Sequence, residues 1–146
     1  MPTGGKLAGA ILFGLFGWYL AGVMGPLFPE SKPPDYLIPL GAALGVVLGW
    51  RMCGKRAGRG YQNVPAIGLT FAAAQVFWTC FIIGVVEMLD NAMRGRFDGP
   101  TEAALSVFNE LVGVAVYFAD VNFLTTLVIG ALIAALVTEY AGQRFP

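Results

Sequence analysis

Few side chains in this chain can do covalent or acid–base chemistry, and those few stand apart. There is no histidine among the 146 residues, which removes the commonest general base near neutral pH and the commonest transition-metal ligand. Serine occurs only at Ser31 and Ser106, with no histidine base for either. Cys53 and Cys80 are too few for a disulfide framework; they lie in different apolar segments and read as small buried hydrophobes. Metal binding by Met52 with Cys53, or by Cys80, lacks ligand number and spacing. Residues 49–55 (G-W-R-M-C-G-K) match the G-x-x-x-x-G-K of a phosphate loop. The next position is Arg56, where magnesium would need a Ser or Thr hydroxyl, and an apolar helix rather than a strand precedes it. The expectation is a chain that is not an enzyme and carries no cofactor or metal.

The remaining polar residues suggest binding or packing. Arg51, Lys55, Arg56 and Arg59 form a basic loop without an acid, able to attract oxyanions or anionic headgroups and equally able to act as an orientation signal. Gln75 and Thr79 are one helical turn apart and share a face, from which they bond to a neighbouring helix or line a pore in an oligomer. Glu102, Ser106, Asn109, Glu110, Gly113, Tyr117 and Asp120 recur every three or four residues, a narrow polar stripe on an otherwise apolar helix over 101–120. That helix lies in a membrane interface, or inserts as a fifth, polar-lined helix; a mid-bilayer Glu costs about 2–3 kcal/mol or more without a partner, which favours the interface.

What must position these residues is apolar helix. Hydrophobic residues make up 57% of the chain, above the usual range of about 45–50%. Four stretches, 7–28, 36–50, 64–86 and 121–138, contain no ionisable Asp, Glu, Lys, Arg or His. A hydrocarbon layer about 30 Å thick needs roughly 20 apolar helical residues. The sequence therefore predicts an all-α, polytopic membrane protein: one domain over 1–146, four transmembrane helices (about 7–28, 36–53, 64–86 and 121–140) and one amphipathic interfacial helix. The first stretch is too long for a signal-peptide core and reads as a retained span. Gly41, Gly45 and Gly49 form a tandem G-x-x-x-G, and Gly14 and Gly17 begin a similar small-residue face on the first span, continued by Ala21 and Gly25. Such faces let backbones approach closely, within one chain or in a homo-oligomer.

Nine basic and nine acidic residues cancel, with no basic groove for nucleic acid. With the amino terminus inside, six basic residues and Glu139 face the cytoplasm, and three basic residues and eight acids face outward. Both termini are predicted to be cytoplasmic.

Several strings together resemble the TrgA family, small bacterial membrane proteins associated with tellurite resistance. They are Met1-Pro2-Thr3 with Lys6-Leu7, Leu27-Phe28-Pro29-Glu30, Gly49-Trp50-Arg51 and Gly54-Lys55-Arg56-Ala57-Gly58-Arg59-Gly60. Asp98-Gly99-Pro100, Thr126-Leu127-Val128-Ile129-Gly130 and Thr138-Glu139 follow in order. The resemblance implies a bacterial inner-membrane protein linked to tolerance of a toxic oxyanion, and it supplies no catalytic or ligand-binding residues. A non-enzymatic scaffold or partner protein is the leading expectation. An accessory subunit of a membrane energy-conversion complex and an oligomeric channel or oxyanion transporter stand beside it. The expected partners are the lipid bilayer, further copies of the chain, or other membrane subunits.

Overall fold

The computed structural model describes residues 4–28, 32–53, 60–96 and 98–144, and among them every regular element is a helix. α1 covers Gly4–Met24 and tightens into a 3-10 turn at Gly25–Leu27. α2 covers Leu37–Leu48 and passes into a π-helical turn at Gly49–Cys53. α3, Val64–Met93, follows a 3-10 turn at Tyr61–Asn63. α4 is Pro100–Tyr117 and α5 is Val121–Arg144.

The prolines explain most of the boundaries. Pro39, Pro65 and Pro100 each fall in a first turn, where a helix has no use for the missing N–H, while Pro26 falls in the last turn of the first helical run and helps to end it. Asp120 starts α5 by accepting the Phe123 N–H through Oδ2 at 3.0 Å. Glu102 steadies the start of α4 by accepting the Asp98 N–H at 2.9 Å.

Among the described residues, three segments are long and apolar enough to cross a membrane: Gly4–Leu27, Tyr61–Met93 and Val121–Arg144. Leu37–Met52 is apolar but shorter. The outward faces match: Leu7, Ile11 and Leu15 on α1 and Ile129 and Ile133 on α5 are all exposed. Water does not favour that arrangement of large side chains, and lipid tolerates it. One difference from the sequence reading is the length of α3, which continues past Val86 through Glu87 and Asp90 to Met93. The charges mark where apolar sequence stops; good helix formers carry the helix onward.

α1 packs between α2 and α5, and α3 lies against α5, α4 and α2. At the centre, Phe13 and Phe71 are fully buried with ring centroids 4.2 Å apart, and Phe16 adds a second contact at 6.2 Å. The α1–α2 contact is backbone against backbone. A Cβ on Gly41 would fall 2.6 Å from the Gly17 carbonyl oxygen, and one on Gly14 2.6 Å from a Val46 methyl. Cβ atoms on Gly45 and Gly49 would strike the carbonyls of Phe13 and Gly9. Glycine is required here for close approach.

α4 runs back along the C-terminal half of α3: a Cβ on Gly84 would lie 3.1 Å from the Val107 carbonyl oxygen and 3.6 Å from the Leu111 nitrogen. Its last turn meets the far ends of α1 and α5, where Phe118 packs on Phe28 at 5.7 Å and on Phe123 at 5.5 Å.

Candidate functional site

Among the described residues, the buried polar side chains fall in two places, one in mid-bundle and one at the end that holds the chain termini. In mid-bundle, Gln75 is 1% exposed and Thr79 is fully buried. The Gln75 Nε2 donates to the Gly41 carbonyl oxygen at 3.2 Å, tying α3 to the α1–α2 crossing. The Thr79 hydroxyl donates to the Gln75 carbonyl at 2.8 Å. Because a carbonyl accepts, the amide nitrogen must face Gly41, which leaves Gln75 Oε1 as a buried atom with no hydrogen-bond partner among the described residues. Both side chains point into a single chain's interior and not onto its outer face.

A tie with one unsatisfied acceptor gives a sharp expectation for Gln75→Leu. It removes the donor and the orphaned acceptor together while keeping most of the volume. Interhelical hydrogen bonds in membranes average about 0.6 kcal/mol, so the change in unfolding free energy should stay below about 1 kcal/mol. Reversible unfolding in mixed detergent micelles measures it. A loss of about 2 kcal/mol or more would mean that Oε1 has a partner of its own.

At the terminal end lies Glu139 on α5, 1% exposed. Its Oε1 accepts the Gly60 N–H at 2.7 Å and the Gln143 Nε2 at 3.0 Å. Gly60 takes φ of +109°, a conformation open to glycine, and so turns its N–H toward the carboxylate at the entry to α3. Beside it the Thr138 hydroxyl returns to the Ala134 carbonyl at 2.7 Å. Sequence reasoning counted Glu139 as the single acid on the basic side and as part of the Thr138-Glu139 string, and gave it no structural role. That isolation, one acid in the last turns of an apolar helix, was the signal available.

The other predicted residues are dispersed. Arg51 is exposed, and Lys55, Arg56 and Arg59 lie outside the described residues. Glu102 serves as the α4 helix-start acceptor, Ser106 donates to the Ala103 carbonyl at 2.7 Å, and Asn109 and Glu110 are exposed. Gly14, Gly17, Gly41, Gly45 and Gly49 line the α1–α2 contact. Cys80 is buried in the core, the Cys53 side chain lies outside the described set, and Ser31 does too. No group of three His, Cys, Asp or Glu side chains is placed to hold a metal among the described residues.

A groove of about 510 Å³ runs between α1 and α5, lined by Leu12, Phe16, Tyr19, Thr126, Ile129 and Ile133 among others. The hydroxyls of Thr125 and Thr126 turn back to the Val121 and Asn122 carbonyls at 2.7 and 2.8 Å, so the walls present hydrocarbon. No family model, curated protein or solved structure matches the chain. Chemically, the described polar groups hold helices together: amide to carbonyl at Gln75, carboxylate to loop N–H at Glu139.

Proposed function

We propose that this chain is a four-span protein of the bacterial inner membrane, with both termini cytoplasmic, that contributes to tellurite resistance as a scaffold or partner protein and not as an enzyme. The observation that carries the non-enzymatic half is the use made of buried polarity: Gln75, Thr79, Thr138 and Glu139 all bond to backbone within the bundle. The resemblance to the TrgA strings carries the tellurite half. Aromatic placement supports the membrane register. Trp50, Tyr61 and Tyr140 are exposed at the terminal end, and Trp78 and Tyr117 are exposed toward the far end. Tyr61 to Trp78 rises about 26 Å along α3, close to a hydrocarbon thickness. α2 completes the fourth span with Arg51 at its end to reach the headgroups. The C-terminal part of α4 then lies at interface level, braced on α3.

Deletion of the gene followed by growth on graded tellurite is the direct test. The expected result is a several-fold drop in the tolerated concentration, restored by the intact chain. Unchanged tolerance removes the resistance reading and leaves the membrane placement standing.

The second reading, an accessory subunit of a larger membrane complex, is favoured by the uncovered apolar stripe on α4 (Leu105, Phe108, Val112 and Val116 are all exposed). Native gels after mild detergent extraction separate the two: a stable co-migrating complex supports the second, a lone small species the first.

A further inference from the structure

The groove between α1 and α5 has a closed floor and a polar end. A Cβ on Gly130 would strike the Phe16 ring, so the ring rests against the α5 backbone. The same ring meets Phe71 of the core at 6.2 Å, and it therefore stands between the groove and the bundle interior. Along α5 the lining runs from Thr125 to Val137, a rise of about 18 Å. Half of a hydrocarbon layer is about 15 Å deep, so the groove matches the depth of one leaflet.

The stripe that lines it does not stop at Val137. Ile129, Ile133, Val137, Tyr140 and Arg144 are spaced four, four, three and four residues apart, which places them on one face of α5, and all five are exposed. Side chains on a helix lean toward its amino end, so Tyr140 and Arg144 lean toward the groove. The Arg144 Nη1 donates to the Tyr140 Oη at 3.1 Å, which holds the guanidinium over the stripe. That bond uses one of the five guanidinium N–H groups, and the Tyr140 O–H keeps its own hydrogen to donate. No carboxylate among the described residues pairs with Arg144. The adjacent acid on α5, Glu139, is buried on the bundle side and bonded to the Gly60 N–H. On α1 the groove face continues from Leu12 toward the terminal end with Ala8 and Gly5, which add little bulk.

A hydrocarbon trough of leaflet depth that ends in an uncompensated cation and a phenol has the polarity of a phospholipid. We infer that this face holds one anionic phospholipid from the leaflet at the terminal end, with an acyl chain in the α1–α5 groove and the phosphate bound by Arg144 and Tyr140. The planar guanidinium can donate to two phosphate oxygens at once. Because no carboxylate balances Arg144, a headgroup of net negative charge binds better than a zwitterionic one. This rests on the membrane placement of α1 and α5.

The test adds phosphatidylglycerol or phosphatidylcholine with identical acyl chains to the purified full chain in mild detergent, and native mass spectrometry reads the lipids retained per protein. One phosphatidylglycerol should be retained, with an affinity about fivefold above that for phosphatidylcholine. R144Q should remove that preference, and R144K, which keeps the charge and loses the fork, should retain part of it. V137W fills the groove beside its polar end and should weaken both lipids about fivefold or more. L136W makes the same change on an exposed α5 position outside the groove and should weaken neither. Equal retention of the two lipids by the parent chain, or an undiminished preference in R144Q, would overturn the phosphate site. Unchanged retention in V137W would overturn the groove as the seat of the acyl chain. Washing native membranes with alkaline carbonate tests the placement separately: release of the chain into the supernatant would remove the membrane reading, and this inference with it.

Discussion

Gly45→Leu separates α1 from α2. A Cβ at this position lands on the Phe13 carbonyl and within 3.1 Å of the Gly14 Cα, so the obstacles are backbone atoms that no rotamer change can clear. Overpacking costs about 1–3 kcal/mol even where side chains can yield, and here the expected loss is at the upper end, about 3 kcal/mol. The damage spreads, because the same contact continues through Gly41 and Gly49, and Gly41 also carries the carbonyl that Gln75 reaches. Gly22→Leu is the control: a Cβ there meets nothing within 4 Å, and stability should be unchanged. Thermal unfolding of the two purified variants in the same mild detergent decides it. Equal melting temperatures would show that α1 and α2 are not in backbone contact.

Glu139→Leu has the second-largest expected effect, and it acts at the other end of the fold. The substitution removes the acceptor for the Gly60 N–H and for the Gln143 amide. Hydrogen bonds to a charged group contribute about 1.5–3 kcal/mol, and the half-buried Gly60 N–H left without its acceptor adds less than the about 1–3 kcal/mol of a fully buried donor. A loss of about 2–3 kcal/mol is expected, with faster hydrogen exchange at the Gly60 amide. Glu139→Gln keeps an acceptor oxygen and gives up the charge, so it should fall between Leu and the parent. If Glu139→Leu matched the parent in both stability and exchange, the carboxylate would not be what holds the entry to α3.

Much of the helix inventory was legible in the chain. The starts of α3 and α5 fall at Val64 and Val121, where the apolar runs begin, and α4 occupies 100–117 against an expected 101–120. These boundaries are local matters of proline placement, first-turn acids and the onset of apolar residues. The end of α3 was not legible, because charges at Glu87 and Asp90 signal the edge of an apolar run without stopping a helix. The two buried polar sites divide in the same way. Gln75 and Thr79 stood out as polar residues in an apolar run, while the Gly41 carbonyl that Gln75 bonds could not be named. Glu139 stood out only as the one acid on the basic side and as part of the Thr138-Glu139 string, because its partner at Gly60 is 79 residues away in the chain.

The sequence by itself determined that these helices are apolar along enough of their length to leave water, since that is a sum over neighbouring residues. Only the tertiary structure decided which faces meet, which carboxylate is covered, and that α4 climbs along α3 with a bare apolar side. The reason is physical. In a soluble helix an apolar stripe points to the core, but here Leu15 and Ile133 on the outside are as apolar as Leu20 and Leu127 within. Hydropathy then carries no direction, and close contact is chosen by backbone shape and by hydrogen bonds that exist only once the helices are side by side.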